Sequence, residues 1–323
     1  MRVTLSIGID IGGTKIAGGL VDGDGLIVRR ARRHTPAQEP DEIIAATVEL
    51  IDELAAAARD QGIDAPKVGV ACAGYIDKAG SNVLFAPNIA WRQEPLRARL
   101  EKATGHAVVI ENDANAAAYG EFLHGAGADV DDMVMVTLGT GVGGGIVLEG
   151  ELMRGSHGIA AEIGHMRVVP GGHLCGCGNR GCFEVYASGS ALVRDARELV
   201  ASGAPQAARL AEMCGGDPAA LEGAHVTEAA QSGDAAAQAL LSEIGRWVGE
   251  GCASLAAVLD PAIFVIGGGL AAAGDLVLAS ARVHFAEELT GGGHRPSPRF
   301  VVATLGNDAG VIGAAALAER GRA

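Results

Sequence analysis

Three glycine clusters in the sequence are candidate phosphate-binding turns. Residues 10–15 read DIGGTK, residues 138–145 read LGTGVGGG, and residues 266–269 read IGGG. Glycine lets a backbone approach a ligand closely and adopt positive φ, so that successive N–H groups can face phosphate oxygens. The first cluster also offers a hydroxyl, an ammonium group and a carboxylate that could orient hydrated Mg²⁺. The candidate residues are Asp10, Gly12, Gly13, Thr14, Lys15, Thr140, Gly141, Gly267, Gly268 and Gly269.

The clusters differ in spacing from the two common phosphate-binding motifs. The G-x-x-x-x-G-K-[ST] pattern of a Walker loop is missing. A dinucleotide fingerprint would lead from its turn into a helix, whereas the first turn here leads back into a strand. One such glycine turn alone is compatible with an ordinary hairpin. The presence of two, at residues 10–15 and 138–145, favours turns that hold the β- and γ-phosphates of a nucleotide. The third cluster could let a nucleoside lie against the backbone, or be a plain strand-to-helix turn.

A polar run, ENDANA at residues 111–116, directly follows a predicted strand. A carboxylate at a strand end in an α/β fold usually points into the ligand crevice. Asp113 could accept a hydroxyl proton while Asn112 holds the same substrate. Alternatively, either residue caps the helix that begins at Ala114, and both roles can coexist. Gly74 and Asn88, in preceding loops, could touch the same ligand or form ordinary turns.

Three thiols and an imidazole within 18 residues suit a tetrahedral zinc site. The ligands would be His165, Cys175, Cys177 and Cys182, and the intervening glycines let the chain fold tightly around an ion. A disulfide is a poor alternative, because bridging Cys175 to Cys177 would be strained and would leave the third cysteine over. His173 is a rival ligand that lies too close to Cys175.

The metal would also organise polar groups around it. If one ring nitrogen of His165 binds zinc, the other carries a proton and can donate it to a ligand hydroxyl. Glu162 and Glu184 lie next to the metal ligands in sequence. Together with Asn112 and Asp113, these groups suit a polyhydroxy ligand.

The elements that must position these residues follow a repeated order. Residues 3–9, 15–21 and 26–32 read as three hairpin-connected strands, and residues 40–61 as a helix. Short strands at 68–72 and 107–110 complete a mixed sheet. The pattern restarts with a strand at 133–138, a glycine turn through Gly145 and a return strand at 146–148. This internal duplication predicts two similar domains with a cleft between them.

The last third of the chain alternates helices and strands. Apolar spacing predicts a long buried helix at 234–260, then a strand at 263–266, a helix at 275–289, a strand at 300–305 and a closing helix at 308–320. The sequence offers no Ser/Pro-rich linker, so we expect a packed hinge near residues 117–133.

Composition limits the class of protein. The 323 residues suggest two domains or one large one, and 49% hydrophobic residues can supply a sizeable core. The formal net charge of −14 argues against nucleic acid as a partner. The start lacks a signal peptide and no stretch is apolar enough for a membrane span. We expect a cytoplasmic protein, since the clustered cysteines fit a reducing compartment.

The motifs together resemble the ROK family of sugar kinases, in the superfamily that includes Hsp70 and actin. The resemblance covers essentially the whole chain and is carried by DIGGTK at 10–15, ENDANAAA at 111–118, LGTGVGGG at 138–145, EIGH at 162–165, CGCGNRGCFE at 175–184 and IGGG at 266–269. Residues 85–97, FAPNIAWRQEPLR, are similar to the glucose-phosphorylating members from actinobacteria.

The resemblance implies a fold and an organisation. The fold would be α/β, the duplicated ribonuclease H-like fold of actin-like ATPases, with a cleft between two domains. Residues 1–118 would form a small α/β domain on which 307–323 pack back, and 119–306 a large α/β domain carrying the zinc motif. A homodimer or homotetramer is also implied.

The resemblance further implies transfer of phosphate from ATP–Mg²⁺ to the 6-hydroxyl of glucose, with structural Zn²⁺. Asp113 matches the catalytic base, and Asn112, Glu162, His165 and Glu184 match the sugar contacts. Ala161 and Ala73 depart from the glycine and proline that many members carry, which leaves fine sugar specificity open. The alternatives are kinases for mannose, fructose, N-acetylmannosamine or N-acetylglucosamine, a polyphosphate-using enzyme, which the acidic charge disfavours, and a sugar-sensing partner of a regulator.

Overall fold

The computed structural model describes residues 4–36, 39–86 and 89–321. The strands are β1 (Leu5–Ile11), β2 (Lys15–Asp22), β3 (Ile27–His34), β4 (Val68–Cys72), β5 (Tyr75–Ile76), β6 (Val83–Ala86), β7 (Trp91–Glu94), β8 (Val108–Asn112), β9 (Met133–Leu138), β10 (Val142–Leu148), β11 (Glu151–Leu152), β12 (Ile263–Gly267) and β13 (Arg299–Val302). The α-helices are α1 (Pro40–Arg59), α2 (Leu96–Thr104), α3 (Asp113–His124), α4 (Glu184–Ala187), α5 (Gly189–Ala201), α6 (Ala208–Met213), α7 (Gly223–Gln231), α8 (Ala235–Leu259), α9 (Asp275–Glu288) and α10 (Ala309–Arg320). Within these ranges, no helix combines the length and the apolar character that a bilayer crossing requires.

The first sheet has the strand order β3-β2-β1-β4-β8. Strands β1, β2 and β3 are antiparallel hairpin neighbours, whereas β4 runs parallel to β1 and β8 parallel to β4. Parallel strands end at the same edge, and the register sets Ile11, Cys72 and Asn112 side by side. The sheet therefore brings Asp10 and Asp113 to one edge, although about a hundred residues separate them in sequence.

The second sheet has the order β11-β10-β9-β12-β13. It repeats the plan of the first, with hairpin strands on one side and two later strands on the other, so the predicted duplication is confirmed. The predicted turn through Gly145 is shorter than expected, because β10 already begins at Val142. A third, antiparallel sheet of β5, β6 and β7 was not predicted.

Helix boundaries follow local signals. Helix α1 has Pro40 in its first turn, where the missing N–H costs nothing, and buries Ile44, Ile51 and Leu54 on one face. The side chain of Asp234 caps α8 by accepting the N–H of Ala237 at 2.8 Å. Apolar residues at helical spacing are the signal that made both helices predictable, together with Pro40 for α1.

Internal contacts divide the chain into two compact units. The first contains residues 1–134, 145–161 and 304–323, and the second contains 135–144 and 162–303. The first unit thus reaches 16 residues beyond the predicted border at 118 and includes the stretch from Gly145 to Ala161 as well as α10. The division passes through β9 and β10.

Helix α10 fits into the first unit through glycines. A Cβ on Gly8 of β1 would overlap the carbonyl oxygen of Val311, and one on Gly69 of β4 would overlap that of Ala314. On the helix itself, a Cβ on Gly313 would overlap the carbonyl oxygen of Ala116 in α3. Only a hydrogen at each position permits this close approach of backbone to backbone.

We expect Gly69→Ala to destabilise the first unit by about 2–3 kcal/mol, because the methyl group forces α10 away from the sheet. Urea unfolding measures the change. Gly23→Ala is the matched control, since a Cβ there meets nothing within 4 Å, and it should stay within about 0.5 kcal/mol of the parent. Equal stability of the two variants would contradict the packing argument.

Candidate functional site

Asn112, rather than Asp113, caps helix α3. Asn112 is the N-cap of α3: its Oδ1 accepts the N–H of Asn115 at 3.0 Å, and its Nδ2 donates to the carbonyl of Gly74 at 3.1 Å. Asp113 is the first helical residue, and its Oδ1 accepts the N–H of Ala114 at 2.9 Å. Because Asn112 does the capping, the carboxylate of Asp113 can serve chemistry.

Gly74 stands beside this cap in a conformation that glycine alone adopts easily. Its φ is +151°, and a Cβ would lie 2.7 Å from the carbonyl oxygen of Phe85. The close approach sets the Gly74 carbonyl against Asn112. Asn88 lies outside the described residues.

Asp10 and Asp113 are two buried carboxyl groups at the sheet edge, and both have raised pKa values. Burial raises the pKa of Asp10 to about 6, with the Asp113 charge adding to the rise and Lys15 opposing it. Burial also raises the pKa of Asp113, against the lowering effect of its backbone hydrogen bonds. Two carboxylates that repel each other at a buried sheet edge favour the binding of a cation there.

The raised pKa of Asp10 makes stability depend on pH. The folded protein holds this proton more tightly than the unfolded chain, whose carboxyl has the ordinary pKa of 3.8, so stability falls as pH rises from about 4 to about 6. Without Mg²⁺ or nucleotide, we expect Asp10→Asn to stabilise the protein by roughly 1–2 kcal/mol more at pH 7.5 than at pH 4.5. Urea unfolding at both pH values tests this, with the exposed Asp24→Asn as control. An equal effect of Asp10→Asn at both pH values would contradict it.

The first glycine turn, residues 12–15, is exposed and held from behind. Thr35 donates its backbone N–H to the carbonyl of Thr14 at 3.1 Å and its hydroxyl to the carbonyl of Gly12 at 2.7 Å. The positive φ expected of the glycines is not observed here, since neither Gly12 nor Gly13 has one. A Cβ on Gly13 would meet nothing within 4 Å, so the protein itself does not require glycine there. That openness is what a ligand lying against the backbone needs.

The second glycine turn opens a cavity in the second unit. Helix α5 begins against the turn, because the N–H of Gly189 donates to the carbonyl of Gly139 at 2.8 Å. The cavity has a volume of about 1100 Å³. Its walls are the turn at 138–140, one face of α5 between residues 189 and 198, one face of α7 and Gly269 with Leu270. A drug-sized ligand needs about 300–1,000 Å³, so a nucleoside fits this space.

The three glycines of the third cluster have different roles. Gly268 has a φ of +86°, and a Cβ there would overlap the carbonyl oxygen of Leu138, so the fold demands glycine. Gly267 ends β12 with Met135 close to the position of a Cβ. Gly269 meets nothing within 4 Å and lines the cavity.

Sequence reasoning missed the helical walls of this cavity. Arg194 and Arg197 line it while donating to backbone carbonyls outside α5, including that of Val185 in α4 at 2.7 Å and that of Leu221 at 3.0 Å. Thr227 and Gln231 face it from α7. In sequence these residues belong to ordinary amphipathic helices, and no local pattern distinguishes them from a solvated helix face.

The four predicted metal ligands converge. In the described part of the chain, one group of side chains is arranged to hold a metal ion, and its ligand atoms, from His165, Cys175, Cys177 and Cys182, lie within 4.8 Å of one another. The Sγ atoms of Cys177 and Cys182 are 3.6 Å apart, and Cys175 Sγ is 3.7 Å from His165 Nδ1. Tetrahedral zinc with Zn–S bonds of about 2.3 Å needs sulfurs about 3.8 Å apart. The residues therefore fit zinc, and the exposed His173 is not in the group.

Glycines and buried contacts shape the metal loop. Gly181 has a φ of +80°, and a Cβ there would overlap the carbonyl oxygen of Val169. The N–H of Cys175 donates to the carbonyl of Asn179 at 2.8 Å, which closes the loop. Burial, reinforced by the carboxylate of Glu184, raises the pKa of the Cys175 thiol. A bound cation is what would keep this sulfur a thiolate at neutral pH.

Of the two acidic residues next to the metal ligands, Glu184 contacts the ligands themselves. Glu184 begins α4, with Oε1 2.8 Å from Cys175 Sγ and 3.6 Å from Nδ1 of His165. Since Nδ1 faces the cysteines, Nε2 is the ring nitrogen left to donate to a ligand. Glu162 precedes the short helix Ile163–His165 and is exposed. Before it, Ala161 has a φ of +68°, a conformation in which glycine is unstrained.

Comparisons with known proteins agree with this architecture. The model of the ROK family matches residues 6–321. The glucokinase of Streptomyces coelicolor is 46% identical over 97% of each chain, and the N-acetylmannosamine kinase of Salmonella typhi is 33% identical over 97% of this chain and 98% of its own. The crystal structure of a ROK family glucokinase from Streptomyces griseus, in complex with glucose and AMPPNP, is 47% identical with a TM-score of 0.86, covering 98% of this chain and 100% of that one. The chain belongs to the ROK family.

Proposed function

We propose that this protein is an ATP-dependent glucokinase that converts glucose to glucose 6-phosphate. The observation that carries the proposal is the likeness, at 47% identity over nearly the whole chain, to a glucokinase whose structure contains glucose and AMPPNP. The site geometry is compatible with it, since an acceptor carboxylate, two open glycine turns and a nucleoside-sized cavity are all present. Identity to an N-acetylmannosamine kinase is lower, at 33%, which favours glucose over that sugar.

Asp113 is the proposed general base. Its carboxylate accepts the proton of the sugar 6-hydroxyl as that oxygen attacks the γ-phosphorus in line and the bond to the bridging oxygen of ADP breaks. Burial favours proton uptake by this carboxylate, because it raises the pKa of Asp113. Asn112, fixed by its capping bond, offers its remaining amide hydrogen to the sugar. Both residues lie at the N-terminus of α3, which fixes the direction of their side chains.

The remaining roles are assigned to the candidates by chemistry. In the first unit, Gly12, Gly13, Thr14 and Lys15 would bind phosphate, and Asp10 would orient hydrated Mg²⁺. In the second unit, Thr140 and Gly141 would bind phosphate, and Gly267, Gly268 and Gly269 would border the nucleoside. Phosphoryl transfer passes through a loose transition state, so catalysis consists mainly of positioning and charge neutralisation.

The sugar-binding role of the second unit depends on its metal loop. Zinc, when bound by His165, Cys175, Cys177 and Cys182, supplies rigidity. His165 would donate from Nε2 to a sugar hydroxyl, and Glu162 and Glu184 would accept from others. We propose that each of these side chains selects sugar hydroxyls by direction rather than by charge alone. A homodimer or homotetramer also belongs to the proposal, and sedimentation of the purified protein tests it.

The experiment that tests the function is an ADP-release assay with ATP–Mg²⁺ and zinc-loaded protein. The sugars are glucose, mannose, fructose, N-acetylmannosamine and N-acetylglucosamine, and polyphosphate replaces ATP in a parallel series that measures the sugar phosphate. We expect the highest kcat/KM with glucose and ATP. A higher value with another sugar or with polyphosphate would overturn the substrate assignment, and absence of turnover with every pair would favour a sugar sensor.

A further inference from the structure

A buried ion pair lies directly behind the proposed catalytic residues. Glu111 is the last but one residue of β8 and is 1% exposed, and Arg154 follows β11 in sequence. Their side chains meet with Arg154 Nε 2.7 Å from Glu111 Oε2, and the Arg154 side chain is 12% exposed. Both residues belong to the first unit.

The other carboxylate oxygen of Glu111 binds the segment that carries Asp113. Its Oε1 accepts the backbone N–H of Asn112 at 3.1 Å and the Nδ2 of Asn115 at 3.3 Å. Asn115 is 2% exposed, and its own N–H is the group that Asn112 caps. Glu111 therefore holds the residues on both sides of Asp113.

Arg154 is itself fixed by a tight turn. Its carbonyl accepts the N–H of Ala160 at 3.1 Å. Within the turn, Gly158 has a φ of +87°, and a Cβ there would lie 2.6 Å from the carbonyl oxygen of Ile76 and from the N–H nitrogen of Lys78. The guanidinium thus presents its Nε from a backbone that has little freedom to move.

We propose that the Arg154–Glu111 pair is a positioning device that sets the direction of Asn112 and Asp113 for phosphoryl transfer. The inference rests on the proposed role of Asp113 as the base. A buried ion pair is a weak source of stability, because well-packed apolar residues of similar volume often stabilise as well or better. An apolar pair would lack directional hydrogen bonds. Here such bonds converge on the segment that orients the carboxylate of Asp113.

The test compares Glu111→Gln, Arg154→Met and the double variant. Each single variant leaves an unpaired buried partner and should unfold at a lower temperature than the parent. The double variant removes both charges and should recover much of that temperature. We expect its kcat to stay about 10²-fold below the parent, because a misplacement of about 1 Å at a reacting group has that effect. The KM for ATP should stay within about twofold of the parent, since the nucleoside cavity lies in the second unit.

Arg154→Lys keeps the charge and lacks the guanidinium Nε, and it covers the case in which the double variant fails to fold. We expect it to fold and to lose about tenfold in kcat. The matched control is the pair Arg33 and Glu53, which has the same 2.7 Å separation and is about one-third exposed. Arg33→Gln with Glu53→Gln should retain the parental kcat.

Two results would overturn the inference. One is a double variant whose kcat recovers together with its unfolding temperature, which is the behaviour of a purely structural pair. The other is an Arg154→Lys variant with the parental kcat. Asp113→Asn, assayed alongside, separates the two claims: if it turns over normally, the proposed base is wrong, whereas if it is inactive while the double variant is fully active, only the positioning role is wrong.

Discussion

Asp113→Asn should lower kcat by about 10³-fold while glucose still binds. The amide keeps the size of the carboxylate and its oxygen can still accept the N–H of Ala114, so the start of α3 stays intact. The amide is not basic enough to take the hydroxyl proton as the 6-oxygen attacks. Turnover by the ADP-release assay and glucose affinity by calorimetry measure the two effects separately.

The control for this prediction is Asp275→Asn. Asp275 is also the first residue of a helix, α9, and its side chain is 86% exposed. The substitution removes the same favourable charge from a helix N-terminus and should leave kcat unchanged. A kcat for Asp113→Asn within tenfold of the parent, or glucose affinity lost together with turnover, would remove Asp113 from the role of base.

Cys182→Ser should lose the metal, lower the unfolding temperature and raise the KM for glucose by about tenfold or more. The Cys182 side chain is completely buried, and the next residue, Phe183, packs its ring where a Cβ on Gly251 of α8 would lie 2.6 Å away. Loss of the ion leaves His165 without a fixed ring orientation, so its Nε2 donor is no longer aimed. Chelation of the parent protein should give the same change, and metal content by mass spectrometry accompanies both measurements.

Cys214→Ser is the control, because Cys214 is a buried cysteine of the same unit whose Sγ bonds only the carbonyl of Ala211 at 3.4 Å among the described residues. It should keep its zinc and the parental KM. A metal-free sample of parental stability and sugar affinity would show that the cysteine loop does not support the sugar site.

The parts of the site that were predictable are those encoded by short sequence spacing. Cys175, Cys177 and Cys182 lie within eight residues, so their convergence needs only a tight loop. Glycine-rich turns between two strands can likewise be recognised from the local sequence. That Asn112 rather than Asp113 caps α3 was not predictable, because either side chain can cap a helix. Asn112 also binds the carbonyl of Gly74, which lies far away in sequence.

Other features depend on tertiary structure alone. Arg194 and Arg197 line the cavity of the second unit, yet their spacing is that of any amphipathic helix. Glu111 looks like an ordinary strand-end carboxylate, and its partner Arg154 is 43 residues away. The sheet of β5, β6 and β7 escaped prediction because its strands are two to four residues long, too short for alternation to be read.

The close packing of α10 against Gly8 and Gly69 has a consequence for biosynthesis. The second unit takes most of its length from one continuous stretch, 162–303, whereas the first waits for residues 304–323. On the ribosome, the strands β1, β4 and β8 are therefore made early and stay without the helix that covers Gly8 and Gly69 until synthesis is almost complete. During that interval the uncovered sheet makes the nascent chain prone to aggregation. A premature stop codon after β13 would yield a second unit with all its residues, attached to a first unit that cannot close its core.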